Sequence, residues 1–105
     1  MSSKKIQIEA AHVGYYSAYD EAAFFEWLDK IASVCDFKGR GSSLWITVDY
    51  DKTTEEDLLE LLSLFRRYEV SMGQLIALDK PEFSEWFHER DAYWFPHIFG
   101  GHQTR

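Results

Sequence analysis

The chain has 105 residues, of which 46% are hydrophobic and 17% aromatic, enough apolar content for a folded core without disulfides or a structural metal. A formal net charge of −7 disfavours nucleic acid as a partner, because affinity for nucleic acid depends on neutralising phosphates. The single cysteine, Cys35, excludes an intrachain disulfide, and no long apolar run follows the first lysines, so we expect a cytoplasmic protein without a membrane anchor.

The first predicted elements are a strand and a helix. Hydrophobic residues alternate with polar ones over residues 4–10, which is typical of a strand with one buried face. Ser17 and Asp20 have the spacing of a capping box, so a helix should begin there. Apolar residues then recur at steps of three and four, which extends the predicted helix to about Val34.

A hairpin is predicted next. Residues 35–38 and Ser43–Tyr50 are strand-like runs on either side of Gly39-Arg40-Gly41-Ser42, whose two glycines can supply the positive φ of a tight turn. In the second run, Trp45 and Thr47 share the face opposite the apolar one. We therefore expect these two side chains on the outer face of a sheet.

The second half of the chain predicts a helix, a strand and a further helix. Thr53 and Glu56 fit a capping box for a helix that runs from about Thr54 to Tyr68. Gln74–Leu78 is short and apolar, as expected of a buried strand. A third helix should open at Asp79-Lys80-Pro81-Glu82 and end before Pro96.

The predicted elements follow the order β-α-β-β-α-β, which is that of the split βαβ or ferredoxin-like arrangement. The fold class is therefore predicted to be α+β, with two helices on one face of a four-stranded antiparallel sheet, a C-terminal helix and an aromatic tail. We expect residues 1–105 to form a single α/β domain in which residues 100–105 are frayed.

Most of the charge imbalance lies in residues 49–60, which carry six acidic residues and one lysine. The spacing of these acids superficially fits a calcium loop, but a threonine stands where the sharp turn needs glycine, so no calcium site is predicted. The helix dipole favours Glu55 and Glu56 in a first turn, but it does not explain Asp49 and Asp51, which precede the helix and should be exposed. The four acids are predicted to form a rim that faces a basic protein partner.

Aromatic residues crowd the end of the chain. They are Trp86, Phe87, Tyr93, Trp94, Phe95 and Phe99. One interpretation is that they pack across the sheet and close the core. The other is that Tyr93 and Trp94 anchor an interface, together with Trp45 and Tyr50 near the acidic rim, because such rings dominate binding hot spots. Both interpretations stay open.

No pattern of catalytic or metal-binding residues is visible. The four histidines lack the spacing of a zinc site, and no glycine-rich loop precedes a helix in the way that phosphate binding needs. Cys35 is expected to fill a small apolar gap. We therefore predict no catalytic residue, no metal and no cofactor.

Two segments carry a resemblance. They are Leu64-Phe65-Arg66-Arg67-Tyr68 and Tyr93-Trp94-Phe95-Pro96-His97-Ile98-Phe99-Gly100. With the small size and the acidity, they make the chain similar to the small immunity proteins of bacterial toxin–immunity systems, including contact-dependent inhibition. The resemblance implies a cytoplasmic protein that blocks a toxin's active site or an adjacent surface. It implies no particular binding residue, because no shared motif defines one.

The predicted function is a protein-binding module, an inhibitor or immunity-type protein that neutralises a basic partner such as a toxin domain. Two alternatives stay open: a small-molecule-sensing regulatory domain, which rests on fold analogy, and a homodimeric structural domain that pairs through the open sheet face with Trp45. Neither a membrane nor nucleic acid is an expected partner.

Overall fold

The computed structural model describes residues 4–100. Of the predicted frayed end, residues 101–105 lie outside this range, while Gly100 ends a π-helical turn, Pro96–Gly100. No helix within residues 4–100 is both long enough and apolar enough to cross a membrane.

The sheet has three antiparallel strands: β1 (Lys5–Ala11), β2 (Val34–Arg40) and β3 (Ser43–Asp49). Their order is β1-β3-β2, so the hairpin partner β3 lies in the centre. The turn between β2 and β3 has two residues, and Gly41 adopts a φ of 62°, which a glycine does at no steric cost. The second predicted turn glycine, at position 39, lies inside β2.

The first helix, α1 (Ala18–Lys30), begins where predicted. The Ser17 hydroxyl accepts a hydrogen bond from the Asp20 amide at 3.1 Å, which satisfies one of the free amides of the first turn. The helix ends at Lys30, earlier than predicted, because Val34 already belongs to β2 and pairs with β3.

The second helix, α2 (Glu55–Arg67), carries the predicted capping box one residue later. Thr54 and Asp57 form it with two reciprocal bonds of 3.1 Å. Thr53 does not cap the helix, because its hydroxyl donates to the carbonyl of Asp49 at 2.8 Å in the preceding loop. At the other end of α2, Glu69 closes the helix with a positive φ of 58°.

The predicted fourth strand, Gln74–Leu78, is wrong: it lies within a 3-10 helix, Met72–Leu78. Met72, Leu75 and Leu78 recur every third residue and are buried, which is the period of a 3-10 helix, whereas Ile76 is 48% exposed. The structure therefore confirms an α+β fold with an antiparallel sheet, and the described residues contain three strands instead of the four of the predicted ferredoxin-like sheet.

The predicted third helix is also shorter than expected. A 3-10 turn, Pro81–Phe83, leads into α3 (Ser84–Phe87), and irregular turns follow. One cause of the early end is Trp94, whose indole Nε1 donates to the carbonyl of Phe87 at 2.8 Å and folds the tail back.

The core lies on one face of the sheet. Side chains from that face, from α1, α2 and the 3-10 segment, and from the tail form one buried cluster; examples are Ile8, Ile46, Phe24, Phe65, Leu75, Phe87 and Ile98. Of the six aromatic residues predicted to close the core, Phe87 joins this cluster, and Trp86, Trp94 and Phe99 pack against it half-buried. The opposite face of the sheet, with Trp45 and Thr47 at half-buried positions, carries no described element, as the strand pattern predicted.

Candidate functional site

The loop between β3 and α2 turns the chain from the sheet into the acidic helix. Asp49, predicted to be exposed on the acidic rim, is only 4% exposed. Its carboxylate accepts the Lys52 amide at 3.3 Å and its carbonyl accepts the Thr53 hydroxyl, so it organises the loop from inside. The structure thus places Asp49 away from any surface that a partner could reach.

The buried side chain of Lys80 forms hydrogen bonds to the backbone of this loop. The residue is 7% exposed, and its ammonium donates to the carbonyls of Tyr50 at 3.2 Å and Thr53 at 3.0 Å. The same nitrogen lies 3.6 Å from a carboxylate oxygen of Glu82 and 5.2 Å from the centroid of the Tyr50 ring. The sequence gives no sign of this role, because lysine is rarely buried.

The exposed acids follow on α2. Asp51, Glu55, Glu56 and Glu60 are all exposed, and Leu59, at 39% exposure, lies among them. We call these four acids the acidic surface. Within residues 4–100 none of them forms an ion pair, and Glu60 accepts a hydrogen bond from the Trp27 indole at 2.8 Å. Asp51 accepts the backbone amide of Lys4 at 2.8 Å, which fixes its position.

The predicted anchors Tyr50 and Trp45 occupy different places. Tyr50 is half-buried, and its ring lies between the ammonium groups of Lys4, at 4.6 Å, and Lys80. Trp45 lies on the outer face of the sheet in a shallow depression, where Lys38 and Arg40 also lie. Tyr50 therefore supports the acidic loop, while Trp45 belongs to a separate surface.

The other predicted anchors, Tyr93 and Trp94, lie near α2. Trp94 is half-buried against Trp86 in an edge-to-face contact of 5.8 Å, so it packs the tail. Tyr93 is 46% exposed, and its hydroxyl lies 3.4 Å from the Ser63 hydroxyl of α2. Because α2 covers the core side of the sheet, Tyr93 and Trp45 are on opposite sides of it. The predicted partner-binding residues therefore do not form one continuous surface.

Tyr93 borders a groove of about 440 Å³ that sequence reasoning missed. Its lining is Trp27, Ser63, Arg66, Arg67 and Tyr93. Neither guanidinium forms an ion pair or a hydrogen bond with another residue in the part of the chain that the structure describes. Two unpaired guanidinium groups beside the exposed Tyr93 ring and the half-buried Trp27 ring can hold an anionic group. The sequence signal was the pair of arginines at the end of α2, which the helix dipole alone would explain.

Other polar groups form small local contacts. His88 Nε2 lies 2.8 Å from the carboxylate of Asp79, and its ring stacks on Phe99 at 4.4 Å. Among residues 4–100, no three His, Cys, Asp or Glu side chains converge as a metal site requires. Cys35 is exposed, contrary to the expectation that it fills an apolar gap.

In the comparisons with known proteins, the chain matches no family model, no curated protein and no solved structure.

Proposed function

We propose that this protein is a protein-binding module of the inhibitor or immunity type, and that it docks a basic partner such as a toxin domain on its acidic surface. The observation that supports the proposal most is that Asp51, Glu55, Glu56 and Glu60 are exposed at the junction of a loop and a helix and form no ion pair with any described residue. Complementary charge steers association and determines which partner is accepted.

The rigidity of the junction adds a second line of support. The loop is fixed by bonds from Lys80 and Thr53, and the capping box of Thr54 fixes the start of α2. A surface that is ordered before binding loses little conformational entropy on binding, so more of the electrostatic attraction remains as affinity. Leu59 offers an apolar contact among the acids.

The proposal is tested by capture and then by mutation. The tagged chain is incubated with lysate of its source organism at low and high salt, and retained proteins are identified by mass spectrometry. We expect one basic protein that is retained at low salt and weakened at high salt, because ions screen charge steering. The captured protein is then purified for affinity measurements.

Neutralising the acidic surface provides the decisive comparison. In the variant Asp51→Asn, Glu55→Gln, Glu56→Gln, we expect roughly tenfold weaker affinity, since each exposed charge pair contributes about 0.5 kcal/mol. The matched control removes three exposed acids elsewhere, Glu69→Gln, Glu85→Gln and Asp91→Asn, and should bind like the wild type. Equal affinity of the two variants, or no specific partner at either salt concentration, contradicts the proposal.

A further inference from the structure

The two edges of the sheet differ in whether another part of the chain bonds to their backbone. Strands β1 and β2 are the edge strands, because β3 lies between them. At the β1 edge, the side-chain amide of Gln74 pairs with the backbone of Glu9: its Oε1 accepts from the Glu9 amide and its Nε2 donates to the Glu9 carbonyl, both at 2.7 Å. One side chain thus takes the place of a neighbouring strand. At the outer edge of β2, the Val34 amide bonds to the carbonyl of Ile31, and an irregular register separates Val34 from Asp36. From Asp36 to Arg40, no described residue takes such a place.

The register shows which backbone groups of β2 face outward. His12 donates to Ser42, and Tyr50 donates to Lys4, so the even-numbered residues of β3 bond to β1. The odd-numbered residues of β3 therefore bond to β2, where their partners are Asp36, Lys38 and Arg40.

Phe37 and Gly39 lie between those partners, so their N–H and C=O groups point to the free edge. An unpaired edge of this kind is a template for another antiparallel strand. The same alternation explains why Glu9 of β1 is free to bond with Gln74.

The charges on β2 select the strand that fits this edge. In an antiparallel pair, a residue whose N–H and C=O groups point toward the partner strand lies opposite another such residue. A copy of β2 that approaches the edge can therefore shift only in steps of two residues, which keep outward-facing residues such as Phe37 and Gly39 opposite one another. With Phe37 opposite Phe37 of the second copy, Asp36 of each chain faces Lys38 of the other. One neighbouring register places Asp36 opposite Asp36. The other places Lys38 opposite Lys38, flanked by two Asp36–Arg40 pairs, and a further shift places Lys38 opposite Arg40. Among the registers that keep Phe37 within the paired strand, the one centred on Phe37 is free of like-charge contacts.

Both faces of the sheet favour this register. On the covered face, the ring centroid of the half-buried Phe37 lies 5.7 Å from that of Phe25 in α1. In the dimer, Phe37 would contact Phe37 of the second copy across the two-fold axis. On the open face, the two Asp36–Lys38 pairs would lie beside Trp45, which is the cross-strand neighbour of Lys38. Aromatic pairs and opposite charges are the cross-strand contacts that stabilise sheets.

We propose that a second copy of this chain pairs antiparallel with β2, centred on Phe37, and forms a two-fold symmetric dimer with a continuous six-stranded sheet. The interface is separate from the acidic surface and does not depend on the proposed function. Because only the short run around Phe37 pairs, the dimer is weak and its population depends on concentration.

The test measures the mass of the chain in solution by sedimentation equilibrium, from roughly 5 to 500 µM, the range in which small interfaces dissociate. We expect the wild type to shift from monomer to dimer as the concentration rises. Asp36→Lys and Lys38→Asp each turn both charge pairs into repulsive ones, so each variant should dimerise roughly thirtyfold more weakly.

Two combinations make the register visible. The double variant Asp36→Lys, Lys38→Asp restores both pairs with exchanged signs and should dimerise like the wild type. An equimolar mixture of the two single variants should form a heterodimer, because one copy then presents two lysines to two aspartates. The control Arg40→Asp should dimerise within about threefold of the wild type, because no charged residue of β2 lies opposite Arg40 in this register.

Each possible result either supports or contradicts the proposed dimer. Restoration in the double variant and heterodimerisation of the single variants support the proposal. A chain that stays monomeric at every concentration overturns it and leaves the edge to a strand of another protein. A dimer that the single variants do not weaken, or that only Arg40→Asp weakens, also overturns it, because the interface is then elsewhere or in another register. Circular dichroism of each variant confirms that the fold is intact.

Discussion

Lys80 shows how one buried charge can determine the shape of a loop. Its side chain lies against Phe83 and Tyr50, and its ammonium donates to two carbonyls of the turn that precedes α2. A buried ammonium is tolerated only where hydrogen bonds replace its hydration. Here the two carbonyls supply the hydrogen bonds, and a carboxylate oxygen of Glu82 forms an ion pair with the ammonium at 3.6 Å. The acidic loop therefore depends on a residue that lies about thirty positions later in the sequence.

Replacing Lys80 by methionine tests this dependence. The Lys80→Met variant keeps the stem but removes both hydrogen bonds to the carbonyls of Tyr50 and Thr53, so we expect the free energy of unfolding to fall by about 2–3 kcal/mol. Urea denaturation measures the loss. The control is Lys52→Met, an exposed position, which should change stability by less than about 0.5 kcal/mol. A similar, small effect in both variants would show that the two bonds from Lys80 contribute nothing.

Among the secondary-structure elements, the 3-10 segment Met72–Leu78 has the largest consequence for the sheet. It buries its apolar residues at every third position and directs Gln74 to the backbone of Glu9 in β1. A fourth strand would satisfy that edge along its length, whereas Gln74 satisfies it at one residue. The sheet thus ends at β1 without exposing Glu9 to pairing with another chain.

Truncating Gln74 should open this edge. In Gln74→Ala, both bonds to Glu9 are lost, so we expect a fall of about 1.5–3 kcal/mol in the free energy of unfolding. Amide hydrogen exchange at Glu9 should accelerate, since its N–H bonds to no other described residue. Gln7→Ala is the matched control, because the side chain of that exposed glutamine bonds to the Thr47 hydroxyl, at 3.2 Å, and not to the backbone. Unchanged protection of the Glu9 amide in Gln74→Ala would refute the role of this side chain.

On the scale of the whole molecule, charge and aromatic packing are distributed unevenly. The acids are concentrated at the start of α2, two arginines lie at its end, and a cluster of rings joins α1 to the end of α2. In that cluster, the rings of Tyr15 and Tyr68 pack edge-to-face on Phe24, with ring centroids 5.7 and 5.0 Å from that of Phe24. Burial raises the pKa of Tyr15, with a further contribution from Glu21, and burial followed by the hydrogen bond with Asp20 raises the pKa of Tyr68.

These two shifts predict a loss of stability in alkali. Each tyrosine keeps its proton longer in the folded chain than in the unfolded one, whose tyrosine pKa is about 10. Their contribution is therefore complete below about pH 10 and is lost as the pH rises through the raised pKa of the folded state. Urea unfolding at about pH 8 and about pH 11 should show the fall.

The double variant Tyr15→Phe, Tyr68→Phe isolates the effect. We expect a smaller fall in stability between the two pH values, because phenylalanine does not ionise. Tyr16 and Tyr19, which are 99% and 89% exposed, serve as controls, and replacing both by phenylalanine should leave the fall as it is in the wild type. An equal fall in the two double variants would assign the alkaline sensitivity to other groups.

The sequence by itself determined the local elements of this protein. The alternation in β1 and β3, the serine cap of α1 and the apolar stripe of α2 are short-range signals, because each depends on neighbours within one or two turns of chain. The outward position of Trp45 followed from the same alternation. The concentration of acids at the start of α2 is likewise a property of consecutive residues, so the order of the amino acids alone predicts it.

The tertiary structure decided what depends on distant residues. Gln74–Leu78 has the composition of a strand, but its three-residue period and the docking of Gln74 on Glu9 make it a 3-10 helix. Asp49 looked like a surface acid, yet contacts within the loop bury it. Burial, the partners of Lys80 and the free edge of β2 all arise from residues that are brought together only by folding, and the pattern of a single segment does not contain them.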